Sequence, residues 1–150
     1  MLLRQEDRLG ESIALLREKV KKTPADPILN YLMADALMRQ GAEPAQPEFS
    51  EAREALLKSL RAKPDFDKAR AALGKIYLKS GETENAIREF RRAVKSDPTD
   101  RTALQQLLLA LHKSGREQEA AAIALRLKTL LDEDRKAEVA RNRVRLVKAR

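Results

Sequence analysis

The chain has 150 residues, no cysteine and a formal net charge of +8. Disulfides, thiolate metal sites and a thiol nucleophile are thereby excluded, and no apolar run approaches the roughly 18 residues that would cross a membrane. Arg135, Lys136, Arg141, Arg143, Arg145, Lys148 and Arg150 stand against Glu138 alone, so residues 135–150 carry +6 of that charge and the basic balance belongs to the tail.

The composition, rich in Ala, Leu, Glu, Lys and Arg with five aromatics and five glycines, is that of a helical chain. Met1-Leu2-Leu3 is followed at once by charge, which does not resemble a secretory leader. Leu9, Ile13, Leu16 and Val20 step by four, three and four, one stripe of a helix that Pro24 ends. Asp26-Pro27 is a helix start, an acceptor followed by proline at the first helical position. Leu29, Leu32, Met33, Ala36 and Leu37 then form an inward stripe that Gly41 closes. A second helix is expected from about Ser50 to Lys63, with Ala52, Leu56 and Leu60 inward and Pro64 after it. The segment 42–49 between the two, with Pro44 and Pro47, should bulge as a loop, and Phe49 should fold back on the core.

From Asp67 to Asp100 the pattern is sharpest. Ala69, Ala72, Leu73, Ile76 and Tyr77 share one helical face, and Gly81 follows a basic last turn. Ala86, Ile87, Phe90, Ala93 and Val94 make a second stripe, ended by Pro98. Gly74, inside the first helix, costs about 1 kcal/mol relative to Ala, and the expected offset is close approach of the second helix at Ala86. From Arg101 the pattern repeats with Leu104, Leu107, Leu108 and Leu111 inward, Gly115 at the turn, then Ala120, Ala124 and Leu127. Here Leu108 replaces the small residue and Asp132 the proline, so the last helix either runs on or kinks near residues 131–133. Residues 135–150 read as an amphipathic helix, whose Val139, Val144 and Val147 would cap the last hairpin.

The motif Arg70-x-x-Leu73-Gly74-x-x-Tyr77, Ala86-x-x-x-Phe90 and Pro98 has a 34-residue period and resembles the tetratricopeptide repeat (TPR) family. Arg70 stands where that family usually has a large apolar residue. The resemblance covers residues 9–134. It implies an all-α solenoid of antiparallel helix–turn–helix repeats: a half-repeat helix at 1–24, repeats at 27–66 (with a six-residue turn insertion), 67–100 and 101–134, and a basic C-terminal capping helix at 135–150. The chain begins in mid-motif, which is expected of a piece of a longer protein, the alternative being an N-terminal capping helix.

No catalytic constellation appears. His112 is the single histidine, so two- and three-histidine metal sites are excluded, and Gly41, Gly81 and Gly115 are isolated turn residues rather than a phosphate loop. Asp132, Glu133 and Asp134 diverge around a helix and read as a solvated acidic turn. No cofactor, metal or small-molecule substrate is expected, and no enzymatic activity.

In the family the first helix of each repeat lines the concave groove. The resemblance therefore implies a binding scaffold for a protein or peptide. Its groove residues would be Tyr31, Asp35, Met38 and Arg39, with Ile28 beside them; Lys68, Lys75, Leu78 and Lys79, with Ala71; and Gln105, Leu109, His112 and Lys113, with Thr102. Apolar side chains mixed with positive charge suit a peptide carrying acidic residues. The chaperone carboxylate-clamp set does not carry over: its places hold Tyr31, Asp35, Ala72, Thr102 and Gln106. The alternative is nucleic-acid or anionic-surface binding through Arg141, Arg145 and Lys148, against which stands the lack of any aromatic residue in the tail. Self-association through the N-terminal half-repeat is a third expectation.

Overall fold

The structure, a computed structural model, describes residues 2–148, with side chains described from Arg8 to Arg145. Among these residues it has seven helices and no strand: α1 (Leu2–Lys22), α2 (Pro27–Arg39), α3 (Pro47–Ala62), α4 (Asp67–Lys79), α5 (Thr83–Ser96), α6 (Arg101–Lys113) and α7 (Glu117–Lys148). α2 packs on α3, α4 on α5 and α6 on α7, and each hairpin leans on its neighbours through α1–α2, α3–α4 and α5–α6. The first helices α2, α4 and α6 touch in turn and form the inner layer. The result is an α-solenoid of stacked antiparallel hairpins, in which each apolar face is covered by the next.

Local chemistry sets the helix ends. Asp26 caps α2, its carboxylate accepting from the Ile28 and Leu29 amides at 2.8 and 2.9 Å, with Pro27 at the first position. Asp100 caps α6 through the Ala103 amide at 3.1 Å. The three hairpin turns pass through Gly41, Gly81 and Gly115, each at positive φ (96°, 81° and 73°), where a side chain would be strained. α3 starts earlier than expected, because Pro47 is itself the first helical residue. The inserted loop is therefore shorter than residues 42–49, and Phe49 reaches the core from the first turn of α3. The Lys79 ammonium holds that loop against α4, donating to the Ala42 carbonyl and pairing with Glu43, both at 2.9 Å.

Two apolar clusters meet on α4. One joins Ile13, Met33, Leu37, Phe49, Leu56, Leu73 and Ile76, with Leu9, Leu16 and Val20 of α1 packed against it. The other joins Leu78, Ile87, Phe90, Leu104, Leu107, Leu111 and Leu127, and Tyr77 packs against both. Full burial of each large side chain contributes about 1.5–3 kcal/mol. Leu32, expected inward, is 41% exposed. Its counterpart Ala72 faces α2, whereas Leu32 has no preceding first helix to face among the described residues.

Gly74 is explained by Phe90 rather than Ala86. A Cβ on residue 74 would lie 2.6 Å from Cε1 of the fully buried Phe90 ring. The same two register positions hold Ala34 with Leu56 in the preceding hairpin and Leu108 with Ala124 in the following one. The sizes at these two positions vary inversely along the chain. This inversion leaves Ala124 exposed and Leu108 half-buried, where both were expected inward. Arg70, at the place the family gives an apolar residue, is held by Glu89 at 3.0 Å with both side chains largely buried, and also donates to the Pro64 carbonyl.

Ion pairs tie successive hairpins along the outer layer: Arg17 to Glu51 at 2.6 Å, Arg53 to Glu82 at 2.7 Å, Arg116 to Glu84 at 2.7 Å, and Arg91 to Glu119. Arg53 also lies 5.1 Å from the Tyr77 ring centroid.

α7 corrects the expected tail. It runs unbroken to Lys148, since no glycine or proline follows Gly115 to turn the chain. α6 covers only its first half, with Ala120 and Leu127 buried, and the Arg101–Asp134 pair at 2.5 Å marks where that cover stops, at the first residue of α6. The 14 residues beyond Asp134 project as an arm of about 21 Å. Val139 and Val144 are 63% and 56% exposed there and do not pack on the hairpin. The Val147 and Lys148 side chains lie outside the described residues.

Candidate docking crevice

Between α2 and α4, on the inner layer, lies an open cleft of about 450 Å³. α2 contributes Tyr31, Ala34, Asp35, Met38 and Arg39; α4 contributes Lys68, Ala71, Ala72 and Lys75; Leu56 closes the back. The spacing of three and four on each helix puts these residues on the faces the two helices turn toward one another. The alanines leave the hollow and the longer side chains form its rim.

The rim is positive. Asp35 and Arg39 satisfy each other at 2.8 Å. Lys68 and Lys75 are exposed and have no ion-pair partner among the described residues. Tyr31 is half-buried, its ring 5.1 Å from that of Phe66 at a tilt of 59°. Burial, with Asp35 second, pushes its hydroxyl pKa up, so at neutral pH it is a protonated donor at the rim.

The structure thus brings together seven of the residues expected in the groove: Tyr31, Asp35, Met38, Arg39, Lys68, Ala71 and Lys75. It does not bring in the others. Leu78, expected to be exposed, is 8% exposed and belongs to the second core cluster. Lys79 is engaged by the α2–α3 loop. Gln105, Leu109, His112 and Lys113 are exposed on α6, outside the cleft, and the His112 Nδ1 lies 3.0 Å from Glu117. In the arm, Arg141 and Arg145 are exposed to solvent.

Sequence reasoning missed the floor, Ala34, Leu56 and Ala72, and the supporting ring of Phe66. The repeat register would have found the first three. Phe66 sits at the start of α4, outside any helical stripe, and carries no periodic signal. Among the described residues no group of three His, Cys, Asp or Glu side chains converges as a metal site, and no helix is long and apolar enough to cross a membrane.

Comparison with known proteins agrees with this architecture. The tetratricopeptide repeat family profile matches residues 45–111. Human tetratricopeptide repeat protein 34 is 35% identical over 128 residues, 85% of this chain. The chain spans only 21% of that relative's length. Among solved structures, MamA superposes with a TM-score of 0.75 at 20% identity, over 85% of this chain and 71% of its own. YrrB, described as a TPR protein with an unusual peptide-binding site, superposes with a TM-score of 0.71 at 19% identity, over 86% of this chain and 63% of its own. The repeat is thus matched in sequence over residues 45–111 and the solenoid is matched in structure: the chain carries tetratricopeptide repeats.

Proposed function

We propose that this chain is a non-catalytic docking scaffold that holds a peptide segment of a partner protein in the α2/α4 crevice. The observation that carries the reading is the crevice itself, an open cleft of about 450 Å³ with an apolar floor and two uncommitted lysines on its rim. Clefts of this size, mostly apolar with a few placed polar groups, are where ligands bind. The peptide-binding site named for YrrB, a protein of the same fold, supports the reading.

A photo-crosslinking amino acid placed at Ala71, inside the crevice, tests it against one placed at Lys58, exposed on α3. Adducts with a defined partner segment are expected from position 71 and not from position 58. Adducts formed only at position 58 overturn the crevice as the site.

A second reading has its own observation. The α7 arm stands clear of the hairpins, and Arg135, Lys136, Arg141, Arg143 and Arg145 are exposed along it. Such an arm would bind a polyanion such as a nucleic-acid duplex. That binding would fall steeply as salt rises from about 50 to 200 mM, and more gently for Arg141→Ala/Arg145→Ala. No measurable affinity for a duplex at low salt removes this reading.

A further inference from the structure

We infer that the α7 arm is a docking seam for an acidic amphipathic helix of a partner protein, on a surface separate from the α2/α4 crevice. Ile123, Leu130, Ala137 and Val144 stand seven residues apart along α7. A repeat of seven keeps its members on one slowly turning stripe of the helix. Ile123 and Leu130 pack against the second core cluster, to which α6 contributes. Past Asp134 α6 no longer covers α7, yet the stripe goes on: Ala137, Ala140 and Val144 are all exposed. The arm therefore extends a seam that is already an interface within the chain.

The seam is shaped for a facing helix. Lys136, Val139, Ala140 and Arg143, at i, i+3, i+4 and i+7, are among the residues lining a shallow hollow on the arm. Four residues so spaced form the hole that receives one side chain of a partner helix. The positions flanking the seam decide what that helix carries. They hold Lys136 and Arg143 on one side and Arg141 on the other, all exposed. A second copy would set these cations against one another, in parallel and antiparallel pairing alike. A helix with carboxylates at its own flanking positions pairs with them instead, and its large apolar side chains fill the space that the alanines leave. A nucleic-acid duplex would use the cations but give the apolar stripe no role.

The probe is a synthetic helix of about three heptads with Leu on its seam and Glu at the flanking positions, too acidic to pair with itself at neutral pH. Its control carries Lys in place of Glu. Fluorescence anisotropy with the full chain is expected to show binding of the Glu helix and none of the Lys helix. Lys136→Glu/Arg141→Glu/Arg143→Glu should weaken the Glu helix at least about tenfold and admit the Lys helix. Ala140→Gln/Val144→Gln keeps every charge and should also lose the Glu helix, while any binding of a DNA duplex stays as it was. Circular dichroism checks that both variants keep the native helix content. No binding of the Glu helix, or equal binding by the charge-reversed variant, overturns the inference. So does loss of the Glu helix in the charge-reversed variant but not in the seam variant, which makes the arm a site for any polyanion. A concentration-dependent dimer of the native chain that the seam variant abolishes overturns it in favour of a second copy. None of these results bears on the crevice.

Discussion

The inner layer has two halves built from one repeat, and their linings differ. Between α2 and α4 the facing positions are small, Ala34 on one side and Ala71 and Ala72 on the other, and a cleft results. Between α4 and α6 the corresponding places hold Gly74 on one side and Gln105 and Gln106 on the other, and Leu78, at the place of Met38, is buried in the second core. A periodic backbone thus presents a non-periodic surface. The repeat locates the layer, and the side chains at a few register positions set what lines each half of it.

Leu78→Ala attacks the contrast most directly. It removes a core side chain and should destabilise the chain by about 2–5 kcal/mol, measured by denaturant unfolding. If Leu78 fills the space between α4 and α6, the variant should also gain a hollow there, seen as binding of a small apolar probe that the native chain excludes. Retained stability with no new hollow would mean that backbone spacing, not Leu78, separates the halves.

Gly74→Ala should cost about 1–3 kcal/mol from overpacking against Phe90, offset in part by the roughly 1 kcal/mol gained in helix propensity. Adding Phe90→Leu recreates the Ala34–Leu56 combination and should recover most of the loss, a coupling that a double-mutant cycle reads directly. Additive losses would sink the idea that the hairpins compensate in size.

The smallest effect is electrostatic and acts behind the open half. The hydrogen bond from Arg17 holds the Glu51 carboxyl below its ordinary value of 4.5. A depressed folded pKa gives stability that is complete above the ordinary value and is lost as pH falls through the depressed one. The protection of α3 amides against exchange, relative to their intrinsic rates, should therefore fall below about pH 4.5 in the native chain, and Glu51→Gln should show less of this acid dependence. Equal acid sensitivity in both would remove the pair from the account.

Much of this was legible in the sequence because glycine and proline punctuate it. The turns at Gly41, Gly81 and Gly115 and the cap at Asp26 are local chemistry, as were the rim residues Tyr31, Asp35, Lys68 and Lys75. What escaped was non-local. Leu78 looks like a groove residue by its spacing, and only the packing of α6 beside it buries it. Phe90 rather than Ala86 crowds Gly74, because a ring reaches one turn further than a methyl group. The arm beyond Asp134 read as a cap because the valines of α7 share a face, yet a helix with no turn residue cannot fold back on its own hairpin.

The inverse sizes of Ala34 with Leu56, Gly74 with Phe90 and Leu108 with Ala124 bear on how such a chain can change over generations. A whole hairpin carries its own pair of sizes, so duplicating or exchanging one keeps each residue with the partner it has now. A crossover at a glycine turn would split the pair, setting Leu108 against Phe90 or Gly74 against Ala124. Heritable rearrangement is therefore tolerated at the proline-bearing loops between hairpins and punished at the turns within them.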